Sequence, residues 1–395
     1  MPSYNSDGDY YLYADQVKDG YKWDVSNGAN KNPIAYLDYM MNQNMSTGHY
    51  MQSSFYAELQ PIKQLRIKSQ FGYIMSSSSY RSYIPRFEKL TENLQQEKDK
   101  VSQSMSQTHR WSWENTVNYL FDFKEHHFDF LLGQSLEKWG FGDSMNASAY
   151  NSSFYDFDHA YLSNVPFVPA NIESLGGSPS TEGAIASFFG RVNYNFKETY
   201  MASAVIRADG SSNFARGHRW GYFPSLSAGW VISNENFMQS ALKWLDFLKL
   251  RASWGQNGNC SISPFQYLSK VTSNTNWGGY TFGDLMDTVH TGSYAYQLIN
   301  EDLTWETQET IDIGIDARFF NHRFAVELDW YKKTTRDWLV TAPVQMNFGA
   351  NACSINGGAI ENTGFEAAFH WNDKINKDFN YGVNLNLAYN KTILR

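Results

Sequence analysis

The chain lacks long apolar runs, basic clusters and cysteine motifs, and each absence excludes a class of protein. Its 395 residues are 42% hydrophobic with a mean hydropathy of −0.51. No stretch approaches the roughly 18 consecutive apolar residues that a membrane-spanning helix needs. The 32 lysines and arginines are scattered and the net charge is −8, so no nucleic-acid partner is indicated. Cys260 and Cys353 lack CxxC spacing and indicate neither a zinc site nor a redox motif.

Signatures of catalysis and of export are absent as well. The sequence has no HExxH, no P-loop, no nucleophile elbow and no GxGxxG opening a helix. We therefore expect no enzyme, no cofactor and no metal. His126 and His127 fall in a predicted tight turn, where histidines are more often solvated than metal ligands. The first residues form no basic and apolar signal peptide, so an exported protein would be mature or cut from a longer chain.

Aromatic residues are abundant, at 17% of the chain, and many lie in segments where apolar and polar positions alternate. From Ile311 to Phe319 the odd positions are apolar, whereas the even ones are charged or glycine. Because successive side chains of a strand point to opposite faces, this period predicts half-apolar strands. The same alternation recurs in 117–123, 192–196, 324–330 and 383–390. The sequence therefore predicts an all-β protein.

The lengths of the connections suggest where these strands lie. The apparent strands form pairs joined tightly at 61–64, 124–127, 197–198, 320–323 and 372–377. Longer connections cover 76–105, 140–182 and 257–303. A soluble sandwich alternates too, but short periplasmic turns opposite long extracellular loops are typical of a transmembrane antiparallel β-barrel. We expect about twelve strands, mostly of the ~9–11 residues or more that cross a bilayer.

The placement of tryptophans supports the membrane interpretation. Trp111 and Trp113 share the apolar parity at the long-loop end of a predicted strand, where an interfacial girdle would lie. We expect both to face lipid, although a sandwich core would place them inside. Trp139 has the opposite parity to Phe128 and Leu132, which requires a bulge or a lumen position.

Residues 207–214, RADGSSNF, and 219–230, RWGYFPSLSAGW, closely resemble the SusC/RagA-like family of TonB-dependent outer-membrane receptors. Further agreement comes, in consistent order, from 32–38, 248–259, 303–306 and 362–366. The motif residues that carry the resemblance are Asp209, Gly210, Ser211, Ser212, Phe214, Trp220, Gly221, Phe223, Pro224, Ser225, Gly229, Trp230, Gly255, Gly258, Asn259, Trp305 and Glu306.

The resemblance implies a barrel of about 22 strands filled by an N-terminal plug. It implies a receptor in the outer membrane of a Gram-negative bacterium that imports oligosaccharides or peptides with energy passed through TonB. It also implies a SusD-like surface lipoprotein as a lid. No plug or TonB box is visible, so we expect 1–395 to be a partial barrel domain without its plug and C-terminal strands. Open sheet edges are costly in lipid, so such a piece should neither close nor transport alone.

Two predicted loops mix aromatic residues with amides and carboxylates, a combination suited to sugar faces and hydroxyls. We expect some of their rings to contact substrate or the lid lipoprotein, although packing of the loops on one another is the commoner role of such rings. A different class, a secreted β-rich carbohydrate-binding or adhesion module, would share these loops but remain soluble without detergent. The candidate residues are Trp277, Tyr280, Phe282, Tyr294 and Tyr296 in one loop and Tyr150, Tyr155 and Tyr161 in the other.

Overall fold

The computed structural model describes residues 4–10, 32–41, 43–91, 94–240, 243–273, 279–281, 289–295, 297–345, 347 and 349–395. The fold is dominated by antiparallel β-structure, which confirms the all-β prediction. No helix among these residues is long and apolar enough to cross a membrane.

The strands follow the alternating segments of the sequence, since β-branched and aromatic side chains fit a pleated, half-buried surface. They are β1 (Asn44–Ile62), β2 (Leu65–Ile84), β3 (Phe87–Thr91), β4 (Leu94–Gln96), β5 (Lys100–Phe123), β6 (His126–Tyr150), β7 (Ile172–Pro179), β8 (Gly183–Phe196), β9 (Tyr200–Ser211), β10 (Trp220–Val231), β11 (Leu245–Asn259), β12 (Val271–Ser273), β13 (Gly279–Thr281), β14 (Val289–Thr291), β15 (Ser293–Ala295), β16 (Glu306–Phe319), β17 (Phe324–Arg336), β18 (Leu339–Thr341), β19 (Ser354–Asn356), β20 (Ile360–Lys374) and β21 (Asn380–Leu394).

Helical segments are short. The helix α1 (Pro33–Tyr36) is capped by Asn32, whose side chain accepts hydrogen bonds from backbone amides of the first turn. A π-helical turn (Leu37–Met41) follows it. Four 3-10 turns lie in connections, at Leu162–Asn164, Pro169–Asn171, Ile232–Asn234 and Asn236–Met238.

The main sheet has the strand order β1-β2-β5-β6-β8-β9-β10-β11-β16-β17-β20-β21, with β7 paired to β6 in addition. These twelve consecutive strands confirm the predicted number. The described pairings from β8 onward are all antiparallel between neighbours. The small hairpins β3-β4, β12-β15, β13-β14 and β18-β19 lie in the connections.

Two strands are much longer than the sequence suggested. The strands β5 and β6 contain 24 and 25 residues, and β2 continues to Ile84, so the predicted loops 76–105 and 140–182 shrink to 85–99 and 151–182. Inside β6, Gly140 and Gly142 have φ of +72° and +149°, and this backbone is typical of a bulge. Both glycines lie beyond Trp139, so this bulge does not account for the parity of Trp139 relative to Phe128 and Leu132. A Cβ at Gly140 would also meet the carbonyl oxygen of Thr181.

Five of the six connections at one end of the sheet are tight, as predicted. They span 63–64, 124–125, 197–199, 320–323 and 375–379, the last a few residues later than expected. Lys124, Lys197 and Glu198 have positive φ, a backbone conformation typical of tight hairpin turns. We call this the turn end of the sheet. The sixth connection, 232–244 between β10 and β11, is longer and holds two 3-10 turns, which the sequence did not suggest.

The described chain divides into two compact units. The first comprises Met1–Ser53, Gly72–Trp111 and Trp139–Glu182. Its core contains Tyr83, Val101 and Ala160, and the Arg81 guanidinium lies 4.2 Å from the ring centres of both Phe157 and Tyr161. The second unit comprises Ser54–Phe71, Ser112–Lys138 and Gly183–Arg395, and it contains β8 to β21 together with the turn-end parts of β1, β2, β5 and β6.

Candidate functional site

The second unit presents one apolar and one polar sheet face. Cross-strand partners such as Ile313 and Trp330, or Trp330 and Phe365, lie on the apolar face. This face is exposed, with Ile313 at 45% and Phe365 at 46%. In a soluble sandwich the apolar face would be buried against a second sheet. An exposed apolar face on strands of this length suits lipid instead.

An aromatic belt borders the apolar face at the turn end. Ring contacts link its members in two runs, one from Phe123 to Trp230 and one from Trp244 to Trp371, with centroids 4.6–6.4 Å apart. Two lysines of the adjacent turns lie over belt rings, Lys124 5.6 Å from Phe123 and Lys197 5.3 Å from Phe196. Aromatic rings with lysines beyond them are typical of a membrane–water interface. The belt comprises Phe123, His126, Phe196, Tyr200, Trp230, Trp244, Phe319, Phe324 and Trp371.

The histidine pair departs from the sequence prediction, because both residues begin β6 and neither lies in the turn. His126 stacks on Phe196 at 4.6 Å, and its Nδ1 lies 2.8 Å from the Tyr194 hydroxyl. His127 pairs instead with Asp122, with 2.7 Å between Nδ1 and Oδ1. The ring contact makes His126 a belt residue.

Of the two tryptophans predicted to face lipid, Trp113 is 42% exposed, and its indole nitrogen donates to the Ser69 hydroxyl at 3.1 Å. Its exposure on the apolar parity of β5 agrees with the predicted face. The predicted position at the loop end of the strand was wrong, because β5 begins at Lys100 and Trp113 lies near its middle. Trp111 is half-buried within the first unit.

The polar face carries a cluster of one arginine and three aspartates. The Arg251 guanidinium donates to Asp316 at 3.1 Å, Asp312 at 3.3 Å and Asp329 at 2.7 Å. Arg251 lies opposite Gly314, and Gly314 opposite Asp329, so the register brings the three strands together here. A Cβ at Gly314 would approach the Arg251 guanidinium carbon to 2.5 Å, so the glycine leaves room for the ion pairs.

A second polar group lies around Asp129, which accepts hydrogen bonds from Arg191 at 3.1 Å and from Asn193 at 3.4 Å. The Ser203 hydroxyl donates to the side-chain oxygen of Asn193 at 2.7 Å. A groove of about 570 Å³ includes Asp129, Asn193, Ser203, Lys249, Arg251 and Asp312 in its lining. The polar face therefore offers amide, hydroxyl and charged groups to a polar molecule.

The motif residues meet at the opposite end of the sheet, which we call the loop end. Phe214, Phe223, Leu303 and Trp305 are all less than 10% exposed and form one cluster, the loop-end nucleus. The Trp305 ring lies 5.4 Å from both phenylalanine rings, and its indole nitrogen donates to the Arg219 carbonyl at 2.8 Å. These contacts join segments some 90 residues apart in sequence and hold the loops at the strand ends.

Small residues of the motif create the space for these rings. A Cβ at Gly258 or Gly221 would overlap the Phe223 ring, and one at Gly210 would lie 2.9 Å from the Trp220 ring. A Cβ at Gly255 would lie 2.8 Å from the Ser225 hydroxyl, whereas one at Gly229 would meet only the flexible Lys249 side chain at 3.2 Å. Gly221 and Gly258 are therefore required by packing, since ordinary carbon contacts are about 3.5–4.0 Å.

The polar motif residues complete this end of the sheet. Asp209 receives two hydrogen bonds from Arg207, at 2.8 and 2.9 Å, and Ser211 is 1% exposed. Further hydrogen bonds from backbone amides tie loops to strands: Ala184 donates to the Ser212 hydroxyl at 2.9 Å, Leu339 to the Glu306 carboxylate at 3.0 Å and Ser261 to the Asn259 side-chain oxygen at 3.0 Å.

Comparison with known proteins identifies the family to which this fold belongs. Residues 2–394 match the family model described as TonB dependent receptor-like, beta-barrel. The chain belongs to this family of TonB-dependent receptors. Its fold is accordingly that of the TonB-dependent receptor barrel, as the sequence resemblance implied, and the family is one of receptors and transporters in the outer membrane.

Named relatives of this receptor chain include a TonB-dependent receptor of Formosa agariphila, 31% identical over 99% of this chain and 37% of the relative. SusC of Bacteroides thetaiotaomicron is 36% identical over 53% of this chain and 21% of SusC. The chain thus spans well under half the length of these curated relatives. Among solved structures, the RagAB peptide transporter aligns with a TM-score of 0.80 at 25% identity, covering 99% of this chain and 40% of the other.

The receptor chain's predicted loop contacts are only partly within the described residues. Trp277, Phe282 and Tyr296 lie outside them, as does the Tyr280 side chain, although the backbone of Tyr280 belongs to β13. Tyr294 lies in β15 and is 37% exposed. The structure does not bring these residues into one described site, and their role stays a prediction.

The three tyrosines of the other predicted loop fall in the first unit and have different surroundings. Tyr155 is 82% exposed, whereas Tyr161 stacks on Arg81. Tyr150 donates to the Glu173 carboxylate at 2.6 Å. Burial opposes ionisation of Glu173, but the Lys100 ammonium together with the Ser148 and Tyr150 hydroxyls lowers its pKa to about 2. Tyr150 and Tyr161 therefore have partners within the first unit, whereas Tyr155 is exposed, and the contact role of all three stays a prediction.

The sequence did not identify the Arg251 cluster or the aromatic belt. Arg251 is 61 to 78 residues from its three aspartates, so only strand register brings them together. The belt had a usable signal, because most of its aromatic residues occur at strand ends next to short turns. The two cysteines are both free thiols, and burial raises the pKa of the Cys260 thiol.

Proposed function

We propose that this chain forms part of the wall of an outer-membrane receptor that imports oligosaccharides or peptides with energy supplied through TonB. The observation that carries the proposal is the two-faced sheet. One face is apolar, exposed and bordered by an aromatic belt, whereas the other carries Arg251, its three aspartates and the Asp129 group. Such a sheet separates lipid from a water-filled interior.

Family membership supports transport, and the named relatives guide the choice of substrate and partner. SusC is named as a TonB-dependent receptor, and RagAB is described as a peptide transporter. By analogy with these relatives, we propose a SusD-like surface lipoprotein as the partner that binds at the loop end. Polar side chains of the inner wall suit hydroxyl-rich or amide-rich substrates alike, so both substrate classes belong in the test.

The test uses the full-length receptor in its native host. Deletion of the gene should abolish growth on particular oligosaccharides or peptides supplied as sole carbon source, and the complemented strain should recover it. Loss of uptake only for peptides would identify peptides as the substrates, and loss only for glycans would identify oligosaccharides. Unchanged growth and uptake across both panels would overturn the proposal.

A second arm tests the predicted loop contacts. Substitution of Trp277 and Tyr280 by alanine should reduce uptake and affinity, because each ring would lose its stacking surface. Tyr222→Ala is the matched control, since Tyr222 is 65% exposed on the apolar face. If the Trp277 and Tyr280 variants take up substrate as well as the Tyr222→Ala control, these two residues do not belong to the site.

The partner is tested separately by purifying the tagged receptor from membranes. A SusD-like lipoprotein should co-purify in about equal amount and should dissociate when the loop-end nucleus is disrupted. Purification without it would contradict the partner assignment and leave the transport proposal to the uptake assay. The same preparation should require detergent, whereas a secreted binding module would stay soluble without it.

A further inference from the structure

The connection between β10 and β11 differs from the other connections of the turn end. It runs from 232 to 244 and includes two 3-10 turns within 232–238, while each of the other five connections has two to five residues. Long connections are usually extracellular in such barrels, and periplasmic ones are short. The additional residues at this position therefore call for a physical explanation.

The first part of this connection is held beside the apolar face. Tyr200 and Trp230, both belt residues, donate to the same Glu235 carboxylate oxygen at 2.5 and 3.0 Å. Their rings stack with centroids 6.3 Å apart. These hydrogen bonds, from the Tyr200 hydroxyl first and the Trp230 indole second, lower the pKa of Glu235. The carboxylate therefore stays ionised and favours the polar boundary of the membrane.

The last part of the connection returns to the same face. Trp244 is 51% exposed and stacks on Phe319 with centroids 5.9 Å apart. The Phe320 amide donates to the Trp244 carbonyl at 3.1 Å, which fixes the connection to the neighbouring turn. Lys243, exposed beside Trp244, can extend its ammonium toward lipid phosphates.

Phe237 lies between these two attachments, in the 3-10 turn Asn236–Met238, and is 65% exposed. An exposed phenylalanine on a segment attached at both ends to the lipid-facing belt would lose water contact by entering the membrane interface. Each Å² of apolar surface so removed contributes roughly 25 cal/mol. Continuity with the belt thus points to lipid as the occupant of this surface.

We propose that residues 232–240 and 243–244 form an interfacial anchor. In it, Phe237 and Trp244 insert among phospholipids of the periplasmic leaflet while Glu235 remains at the level of the headgroups. This inference rests on the proposed outer-membrane location of the chain. It adds a lipid-binding segment outside the strands, at the one turn-end connection long enough to supply it.

The test is a spin label at Phe237→Cys in the full-length receptor with Cys260→Ala and Cys353→Ala. The protein is reconstituted into vesicles of phosphatidylethanolamine and phosphatidylglycerol. Collision of the label with oxygen, which enters bilayers, is compared with collision with a water-soluble nickel chelate. Two matched labels serve as references: Ile313→Cys on the apolar face, and Lys377→Cys in the tight turn 375–379. Retained uptake by each labelled protein confirms folding.

We expect the ratio of oxygen to nickel accessibility at 237 to approach that at 313 and to exceed that at 377 several-fold. A ratio at 237 equal to that at 377 would overturn the anchor while leaving the barrel location intact. Protection of 237 from both reagents would also overturn it, because the segment would then be covered by protein. Nickel accessibility at 313 itself would overturn the proposed membrane location and the anchor together.

Discussion

Aromatic residues serve opposite purposes at the two ends of the main sheet. At the turn end they form an exposed belt, in which Tyr200 is 45% and Trp244 51% exposed. At the loop end Phe214, Phe223 and Trp305 are buried, at 0%, 6% and 8%. The same residue types are therefore exposed at one end of the sheet and buried in a common cluster at the other. Their neighbours decide which outcome holds.

Glycine is the neighbour that distinguishes the two regions. The loop-end rings enter space left by Gly221 and Gly258, whereas the belt rings stack side by side along the strand ends. Removing a buried ring leaves a cavity, but removing a belt ring leaves space that lipid can fill. The comparison can be tested by substitutions expected to have effects of decreasing size.

The largest effect is expected from Phe223→Ala. Loss of this buried ring should destabilise the receptor by about 3–5 kcal/mol, because the nucleus loses its contacts and gains a cavity. Denaturant unfolding of the full-length receptor in detergent micelles measures it. Phe365→Ala on the apolar face is the control and should have a much smaller effect. Equal losses in the two variants would contradict the distinction between nucleus and lipid-facing rings.

A charge placed on the apolar face should have the next largest effect. Ile313→Arg, midway along β16, should cost about 2–4 kcal/mol in a bilayer, whereas Phe320→Arg beside the belt should cost about 0–1 kcal/mol. Unfolding from phospholipid vesicles compares the two variants. If both cost the same, the belt would not lie at the membrane boundary.

Gly258→Ala tests the space that glycine leaves in the nucleus. The added methyl group would overlap the Phe223 ring and should cost about 1–3 kcal/mol by overpacking. The control is Gly48→Ala in β1, since a Cβ there meets nothing within 4 Å. Thermal unfolding of both variants measures the difference, and wild-type stability of Gly258→Ala would refute the role assigned to this glycine.

The smallest effect is expected at Glu173 in the first unit, whose carboxylate accepts a hydrogen bond from the Tyr150 hydroxyl. Glu173 has a folded-state pKa of about 2, below its ordinary value of 4.5. Its ionised form therefore stabilises the fold above about pH 4.5, and that contribution is lost as the pH falls toward 2. Pepsin cleavage within 151–171 should rise steeply over this interval. In Glu173→Gln the added dependence on pH should disappear, and an unchanged profile would contradict the assignment.

The prediction from sequence was most accurate where local alternation dominates. The faces of β16 and β17 were correctly assigned from residues 311–319 and 324–330, because side-chain direction in a strand depends only on parity. The prediction was wrong about the ends of β5 and β6. A bulge with positive φ at Gly140 changes the parity without ending the strand, so the alternation stopped before the pairing did.

The candidate site could be predicted only in part for a related reason. The motif indicated the receptor family and included Phe223 and Trp305, yet their contact depends on segments brought together by the sheet. Arg251 was within a recognised stretch, but its three aspartates belong to two other strands. The loop candidates Trp277 and Tyr280 remain predictions.

The sequence by itself determined the strand faces, most of the tight turns and the family, because these depend on parity, turn residues and short ordered motifs. Only the tertiary structure decided which faces stay exposed, which rings meet and which charges pair. Those outcomes depend on register, and register joins residues that are far apart in the chain. The aromatic belt illustrates the difference, because each ring occurs at its own strand end and only the sheet brings the rings together.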